Sequence, residues 1–171
     1  NAIEASRQSP CNMNNNCKEA AEQALELYSN VVDIIQESPS QYSRLLSAQT
    51  FFLRGTVHQL LGQTQMKERD FQRAVSSLEG GSVEPLAYVW LGNQLYRSGD
   101  RQTAEELWDQ AIDSGGRDMV EVYLELGKFL HQHGRGEDGR AYWNRLINEL
   151  PNNHVVLRYL ADEYAYLSRV G

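Results

Sequence analysis

Residues 85–116 read PLAYVWLGNQLYRSGDRQTAEELWDQAIDSGG, and residues 120–151 read VEVYLELGKFLHQHGRGEDGRAYWNRLINELP. In both stretches apolar residues recur at steps of three and four, the spacing of an amphipathic helix. Both also contain a glycine, a second glycine seven positions later and a tryptophan sixteen positions later. The set is Gly92, Gly99 and Trp108 in the first stretch, and Gly127, Gly134 and Trp143 in the second. Each stretch therefore predicts two helices joined by a glycine turn.

Other parts of the chain carry the same columns. Gly55 precedes Gly92 by 37 residues, Gly127 follows it by 35, and Ala161 follows Gly127 by 34. Phe71 stands in the first copy at the position of the two tryptophans. A small residue lets two helices approach closely, and an aromatic side chain on the second helix fills the space over it. Because one helix pair cannot bury both of its faces, this internal repeat predicts stacked pairs.

Helical periodicity extends over most of the chain, and no segment alternates apolar and polar residues with period two. Pro39 ends the first helix, Ser40 is expected to cap the second, and Asp100 is expected to cap the helix after the Gly99 turn. The sequence therefore predicts an all-α fold of eight helices, of which the first two form an antiparallel hairpin. The predicted helices span residues 18–37, 42–60, 64–79, 85–98, 101–114, 118–133, 137–150 and 153–168.

Residues 1–17 are polar and lack periodicity, and they are predicted to form a flexible N-terminal arm. The chain starts at Asn1 without Met, so we expect it to be processed or trimmed. Cys11 and Cys17 bracket five residues of this arm. Unpaired, ordinary thiols are the favoured interpretation, and a small disulfide loop in an oxidising compartment is the alternative. A zinc site is not expected, because no histidine accompanies the two cysteines at ligand spacing.

The composition excludes several classes of protein. The 171 residues include 16 Lys and Arg against 23 Asp and Glu, a formal charge of -7 that argues against a protein that coats nucleic acid. No run of 18 apolar residues is present, so no membrane span is predicted. A hydrophobic share of 41% with a charged share of 23% is typical of a globular chain.

Residues that could carry chemistry are scattered along the sequence. Phosphate-binding, dinucleotide-binding and nucleophile-elbow motifs are absent from it. His131 and His133 lie two positions apart on one predicted helix, about 200° around its axis, so they cannot grip one metal ion well. Acidic pairs such as Glu105 and Glu106 are interpreted as solvated surface with local ion pairs. The sequence predicts no enzyme, no metal and no cofactor, and an enzyme with an unrecognised all-α site is kept as a third hypothesis.

The repeated set resembles the tetratricopeptide repeat (TPR) family. Arg54 and Lys67 depart from it, because the family usually has Leu and Ala there, and Gly139 stands where it prefers Ala. The resemblance implies a right-handed α-solenoid of antiparallel helix pairs with an N-terminal helical hairpin. It implies one domain over residues 18–171. The repeats cover about residues 48–84, 85–119 and 120–153, and a terminal helix covers 154–168.

The resemblance also implies that the first helix of each pair lines a concave groove. Groove positions carried over from the family geometry are Phe52, Thr56, Gln59, Leu60, Leu86, Val89, Asn93, Tyr96, Arg97, Glu121, Leu124, Lys128, His131, Gln132, Arg158, Asp162 and Tyr166. The residues expected to hold a partner by hydrogen bonds and charge are Gln59, Asn93, Tyr96, Arg97, Lys128, His131, Arg158 and Asp162. The predicted function is a non-catalytic scaffold (an adaptor, assembly factor or co-chaperone) that binds a peptide or helix in this groove.

One special groove function is not expected. Some TPR proteins clamp the terminal carboxylate of a chaperone tail with basic residues at set groove positions. Asn93 matches one of the clamp positions, but Val89, Glu121 and Glu125 stand where basic residues are needed.

The last predicted helix offers an alternative function. It is apolar on most sides, whereas a terminal repeat normally needs a polar outer face. The helix is therefore expected to contact another molecule, and a homodimer through this end is one hypothesis. A structural oligomerisation or anchoring module of a larger assembly, with membrane association left open, is the alternative to the scaffold. A cytoplasmic location is favoured, and the missing start leaves an exported chain open.

Overall fold

The computed structural model describes residues 11, 15–39, 43–80, 83–114, 116 and 119–170, and these residues form eight α-helices and no strand. The all-α prediction is confirmed. The helices are α1 Asn15–Glu37, α2 Arg44–Leu60, α3 Thr64–Leu78, α4 Pro85–Ser98, α5 Arg101–Ser114, α6 Met119–Gln132, α7 Gly136–Glu149 and α8 His154–Val170.

Most helix ends lie within a few residues of their predicted positions. Pro85 occupies the first turn of α4, and Gly99 ends that helix with a φ of 98°, a left-handed conformation that favours glycine. The Asp100 carboxylate accepts a hydrogen bond from the Thr103 amide at 3.2 Å, which confirms the predicted cap of α5.

Two details at the predicted helix starts differ from the structure. The side chain that caps α2 belongs to Ser43, whose hydroxyl accepts from the Leu46 amide at 3.1 Å, and not to Ser40. Ser40 itself lies outside the described residues. Helix α1 begins at Asn15 instead of Lys18, so the last residues of the predicted arm are helical. The rest of the arm, residues 1–10 and 12–14, lies outside the described residues.

The favoured interpretation of the two cysteines was also wrong, because Cys11 and Cys17 form a disulfide. Helix α1 begins early enough to hold Cys17 in its first turn, and the two Cα atoms are 5.3 Å apart, within the ordinary range for a disulfide. The disulfide packs Cys11 into a small cluster with Ala21 of α1 and Val57 of α2.

The contacts divide the chain into two compact units, residues 1–83 and 84–171, which we call the first and the second unit. In the first unit α1 packs on α2 and α2 packs on α3. The rings of Phe52 and Phe71 stack with 4.8 Å between their centroids, and Phe71 lies directly over Gly55. The single domain expected over residues 18–171 stays a prediction.

The second unit contains two antiparallel pairs, α4 with α5 and α6 with α7, followed by α8. A Cβ atom on Gly92 would lie 2.5 Å from Nε1 of Trp108, and one on Gly127 would overlap the ring of Trp143. Both tryptophans are fully buried. The predicted packing of an aromatic residue over a glycine is therefore confirmed in both pairs. Across the pairs, α6 packs against α4 and α5.

Helix α8 covers one end of the second unit. Its Val156 and Leu160 join Tyr123, Trp143 and Leu146 in one buried cluster. This packing uses one side of the helix, and Val155 and Tyr166 remain exposed on another. Part of the apolar surface that the sequence predicted on this helix is thus buried within the unit itself.

Candidate functional site

The second unit has a cavity of about 260 Å³ whose walls come from three helices, and we call it the α6–α8 cavity. Helix α6 provides one face of side chains at i, i+3 and i+4, and α8 provides the opposite wall. The lining residues are Lys128, His131, Gln132, Trp143, Glu163, Tyr166 and Leu167. Four of them, namely Lys128, His131, Gln132 and Tyr166, were predicted as groove positions. The sequence pointed to no role for Glu163 or Leu167.

The cavity is shaped by a close approach of α6 and α7. The imidazole of His131 stacks on the Trp143 indole with 4.7 Å between the ring centroids. A Cβ atom on Gly139 would lie 2.5 Å from the backbone oxygen of Gly127 and 2.8 Å from Cδ2 of His131. The glycine at position 139, a departure from the TPR pattern, is therefore what lets His131 lie flat against the tryptophan.

The electrostatics of the cavity centre on His131. Burial lowers the pKa of His131 below its ordinary value of 6.5, the nearby Arg140 lowers it further, and Glu163 opposes them. The imidazole is therefore neutral at neutral pH. Its Nε2 atom is buried and has no hydrogen-bond partner among the described residues. A buried polar atom without a partner costs free energy, so this nitrogen lowers the local stability of the folded chain.

The remaining lining residues set what the cavity can hold. Lys128 and Glu163 supply one charge of each sign, and Tyr166 and Leu167 supply apolar surface. Such a site fits a group with an apolar body and a polar end.

The lowered pKa of His131 predicts a pH-dependent stability. The unfolded chain takes up a proton on this residue at a higher pH than the folded chain, so acidification stabilises the unfolded state. The free energy of unfolding should fall as the pH drops from about 7.5 to about 5.5. In His131→Gln this decline should be smaller, as measured by urea unfolding at the two pH values. Equal declines in both proteins would contradict the assignment.

Three predicted site residues of α4 do not line this cavity, and they contact Trp108 or Phe129 instead. The Asn93 side-chain oxygen accepts a hydrogen bond from Trp108 Nε1 at 3.1 Å. Tyr96 is only 8% exposed, and its ring contacts those of Trp108 and Phe129. Arg97 is exposed, with its guanidinium 5.2 Å from the centre of the Phe129 ring. The open groove position predicted for Tyr96 does not agree with this burial, because α6 packs against α4 and encloses the ring.

The other predicted site residues do not line the α6–α8 cavity. Arg158 and Asp162 line a separate hollow on α8 together with His154, Val155 and Tyr159. Gln59 is exposed on α2 in the first unit. Of the eight residues expected to hold a partner, the structure brings only Lys128 and His131 together in the α6–α8 cavity.

A second cavity, of about 350 Å³, is lined mainly by residues of α5 and α7 and was not predicted. Arg135 lines this cavity and forms two ion pairs. Its Nη1 lies 2.6 Å from a Glu105 oxygen, and its Nε lies 2.5 Å from an Asp138 oxygen. Burial acts to lower the pKa of Arg135, but these two hydrogen bonds raise it above its ordinary value. The sequence showed only charged residues on different helices. Which of them pair with Arg135 depends on how the helices pack.

The first unit contains a buried polar cluster that the sequence also did not reveal. Arg54 donates two hydrogen bonds of 2.7 Å to the Asp70 carboxylate, and His58 Nε2 lies 3.6 Å from the same carboxylate. His58 also contacts Gln63 through Nδ1 at 2.6 Å. Asp70 is only 2% exposed, so a substrate cannot reach it. The departure of Arg54 from the TPR pattern was the one available signal, and the cluster is structural.

Comparisons with other proteins do not assign the chain to a family. No protein-family model matches the chain, and no curated protein matches it either. Among the described residues, no three His, Cys, Asp or Glu side chains come together in a way that could hold a metal ion. None of the helices in the described ranges is both long and apolar enough to cross a membrane.

Proposed function

We propose that the chain is a non-catalytic protein-interaction scaffold that binds a peptide or helix in the α6–α8 cavity. The observation that carries this proposal is the convergence of Lys128, His131, Gln132 and Tyr166 on one cavity. Lys128 is partly exposed and Gln132 and Tyr166 are exposed, so the cavity offers charged, amide and aromatic groups that a ligand can reach.

We also propose that the helices follow the TPR plan, with pairs stacked as a right-handed solenoid. The glycine–tryptophan contact recurs in α4–α5 and in α6–α7 with the same spacing in sequence, which supports a repeated packing unit. In such a plan the first helix of each pair lines the concave side, and α6 is the first helix of its pair.

The proposed ligand segment inserts one side chain into the cavity. Its apolar part contacts Tyr166 and Leu167, and its polar end lies near Lys128 and Gln132. Lys128 and Glu163 then favour ligand residues of opposite charge on either side of that side chain. Because the lining is small and mixed in charge, we expect modest affinity from the cavity alone, with further contacts along the helices.

A peptide screen with paired variants tests the scaffold proposal. A library of random-sequence peptides is selected on the wild-type protein, and the dissociation constants of the selected peptides are measured by calorimetry. In Lys128→Ala/Tyr166→Ala these peptides should bind about tenfold more weakly or worse, because the variant loses a charge and an aromatic wall. Helicity should not change, since neither Lys128 nor Tyr166 is buried.

The control changes a different surface of the same pair. Asn144 and Asn148 are exposed on α7 and line neither cavity, so Asn144→Ala/Asn148→Ala should bind as the wild type does. Peptides that bind wild type and Lys128→Ala/Tyr166→Ala equally would refute the cavity as the binding site. Failure to select any peptide would refute the scaffold proposal in this form.

The alternative function, a structural oligomerisation or anchoring module, is favoured by the exposed apolar side chains of α8. Val155 and Leu157 are exposed, and neither belongs to the buried cluster beneath the helix. If this surface joins copies of the chain, sedimentation should show a mass that rises with concentration, and Val155→Ser should reduce that rise. A constant monomer mass over a wide concentration range would exclude self-assembly through α8.

A further inference from the structure

Helix α1 carries two apolar seams side by side. Residues in each seam recur at alternating steps of four and three, the spacing of a coiled-coil seam. The two seams are offset by one residue, about 100° around the helix. One seam is Ala21, Leu25, Tyr28, Val32 and Ile35, and the other is Ala20, Ala24, Leu27, Val31 and Ile34.

The first seam is largely buried, and Ala24 of the second seam packs beside it. Ala21 packs with Val57 in a buried cluster, and Val32 and Ile35 are buried as well. In the other seam Leu27 is 66% exposed, Val31 38% and Ile34 51%. We call these last three residues the open seam. Helix α1 needs only one apolar seam to pack on α2. The open seam is therefore not required for that packing.

The charges beside the open seam have one sign. The helix face on the side away from α2 carries exposed acidic residues and no base: Glu19, Glu26, Asp33 and Glu37. Lys18, the one basic residue in the α1 sequence, lies 3.7 Å from Glu22 and forms an ion pair with it. An apolar stripe with an acidic border attracts an apolar stripe with a basic border.

We propose that the open seam binds an amphipathic helix of a partner protein, one that carries Lys and Arg beside its own apolar seam. The apolar side chains of the partner cover Leu27, Val31 and Ile34, and its basic side chains pair with Glu26, Asp33 and Glu37. A second copy of α1 fits less well, because pairing α1 with itself brings two acidic borders together. The open seam lies in the first unit and does not depend on the α6–α8 cavity.

Three designed helical peptides test the charge and the seam separately. The first has Leu at its seam positions and Lys at the flanking positions, the second has Glu in place of Lys, and the third has the composition of the first in scrambled order. Fluorescence anisotropy with the full chain should show binding of the Lys peptide that weakens with added salt. The other two peptides should bind about tenfold more weakly or worse.

Matched protein variants locate the site. Leu27→Gln/Ile34→Gln should abolish binding of the Lys peptide while the helical circular dichroism stays unchanged, because both side chains are exposed. Glu26→Gln/Asp33→Asn should weaken binding and flatten its salt dependence. Glu121→Gln/Glu125→Gln removes the same charge from exposed positions of α6 and should bind as the wild type does.

Several results would overturn the proposal. One is no binding of the Lys peptide, which includes the case in which another segment of this chain covers the open seam. Equal binding of the Lys and Glu peptides, or equal weakening by both charge variants, would show that the acidic border does not select the partner. A wild-type dimer that Leu27→Gln/Ile34→Gln converts to monomer would assign the open seam to a second copy instead.

Discussion

Replacing Asp70 with Ala is expected to lower the free energy of unfolding by about 3–5 kcal/mol. The Asp70 carboxylate accepts both hydrogen bonds of the Arg54 fork at 2.7 Å and lies 3.6 Å from His58 Nε2. Its removal leaves the guanidinium of Arg54, which is largely buried, without a counter-ion. Urea unfolding followed by circular dichroism measures the loss.

A compensating substitution separates this explanation from a general packing defect. Arg54→Leu/Asp70→Ala removes both charges, and a buried ion pair replaced by apolar residues is often close to neutral in stability. The double variant should therefore recover most of the stability that Asp70→Ala loses. A double variant as unstable as Asp70→Ala would contradict the charge argument.

An exposed ion pair of the same chemistry provides the control. Arg140 and Glu137 lie 2.7 Å apart, but both are largely solvent-exposed. Solvent screens such a pair, so Glu137→Ala should change the free energy of unfolding by less than about 1 kcal/mol.

Replacing Trp143 with Ala is expected to cost about 3–5 kcal/mol. The side chain is fully buried, and it contacts the His131 ring on one side and the Tyr164 ring on another. Truncation therefore removes a large apolar surface and opens a cavity beneath α8. The same urea titration measures the effect.

The contact between Gly127 and Trp143 can be tested by a double-mutant cycle. Ala favours a helix over Gly by about 1 kcal/mol, yet Gly127→Ala should destabilise the wild type by about 1–3 kcal/mol, because the added methyl group overlaps the indole. In the Trp143→Leu background the overlap is relieved, and Gly127→Ala should become neutral or stabilising. An equal cost in both backgrounds would contradict the close approach.

The helices of this protein and most of their ends could be predicted from the sequence. Apolar spacing predicted the eight helices, and Gly99 and Asp100 marked a helix end and a helix start correctly. The sixteen-residue interval from glycine to tryptophan predicted which aromatic side chains lie over which glycines. These features depend on residues close in sequence, where backbone geometry alone sets which side chains meet.

Several side-chain positions could not be read in this way. Tyr96 has the spacing of a groove residue, but α6 covers it, and Asn93 is engaged by the Trp108 indole. From the sequence, Gly139 is only a residue of low helix propensity, whereas the structure shows that it lies close to His131. In each case the outcome depends on a side chain from another helix, which periodicity within one helix does not specify.

The sequence by itself thus determined the all-α class, the helix boundaries to within a few residues and the glycine–aromatic packing within each pair. Only the tertiary structure decided that Cys11 joins Cys17, that Arg54 and Asp70 form a buried pair, and that one apolar seam of α1 is covered while the other stays open. The physical reason is that hydrogen bonds along a helix are local, whereas burial depends on which neighbouring element packs against each face.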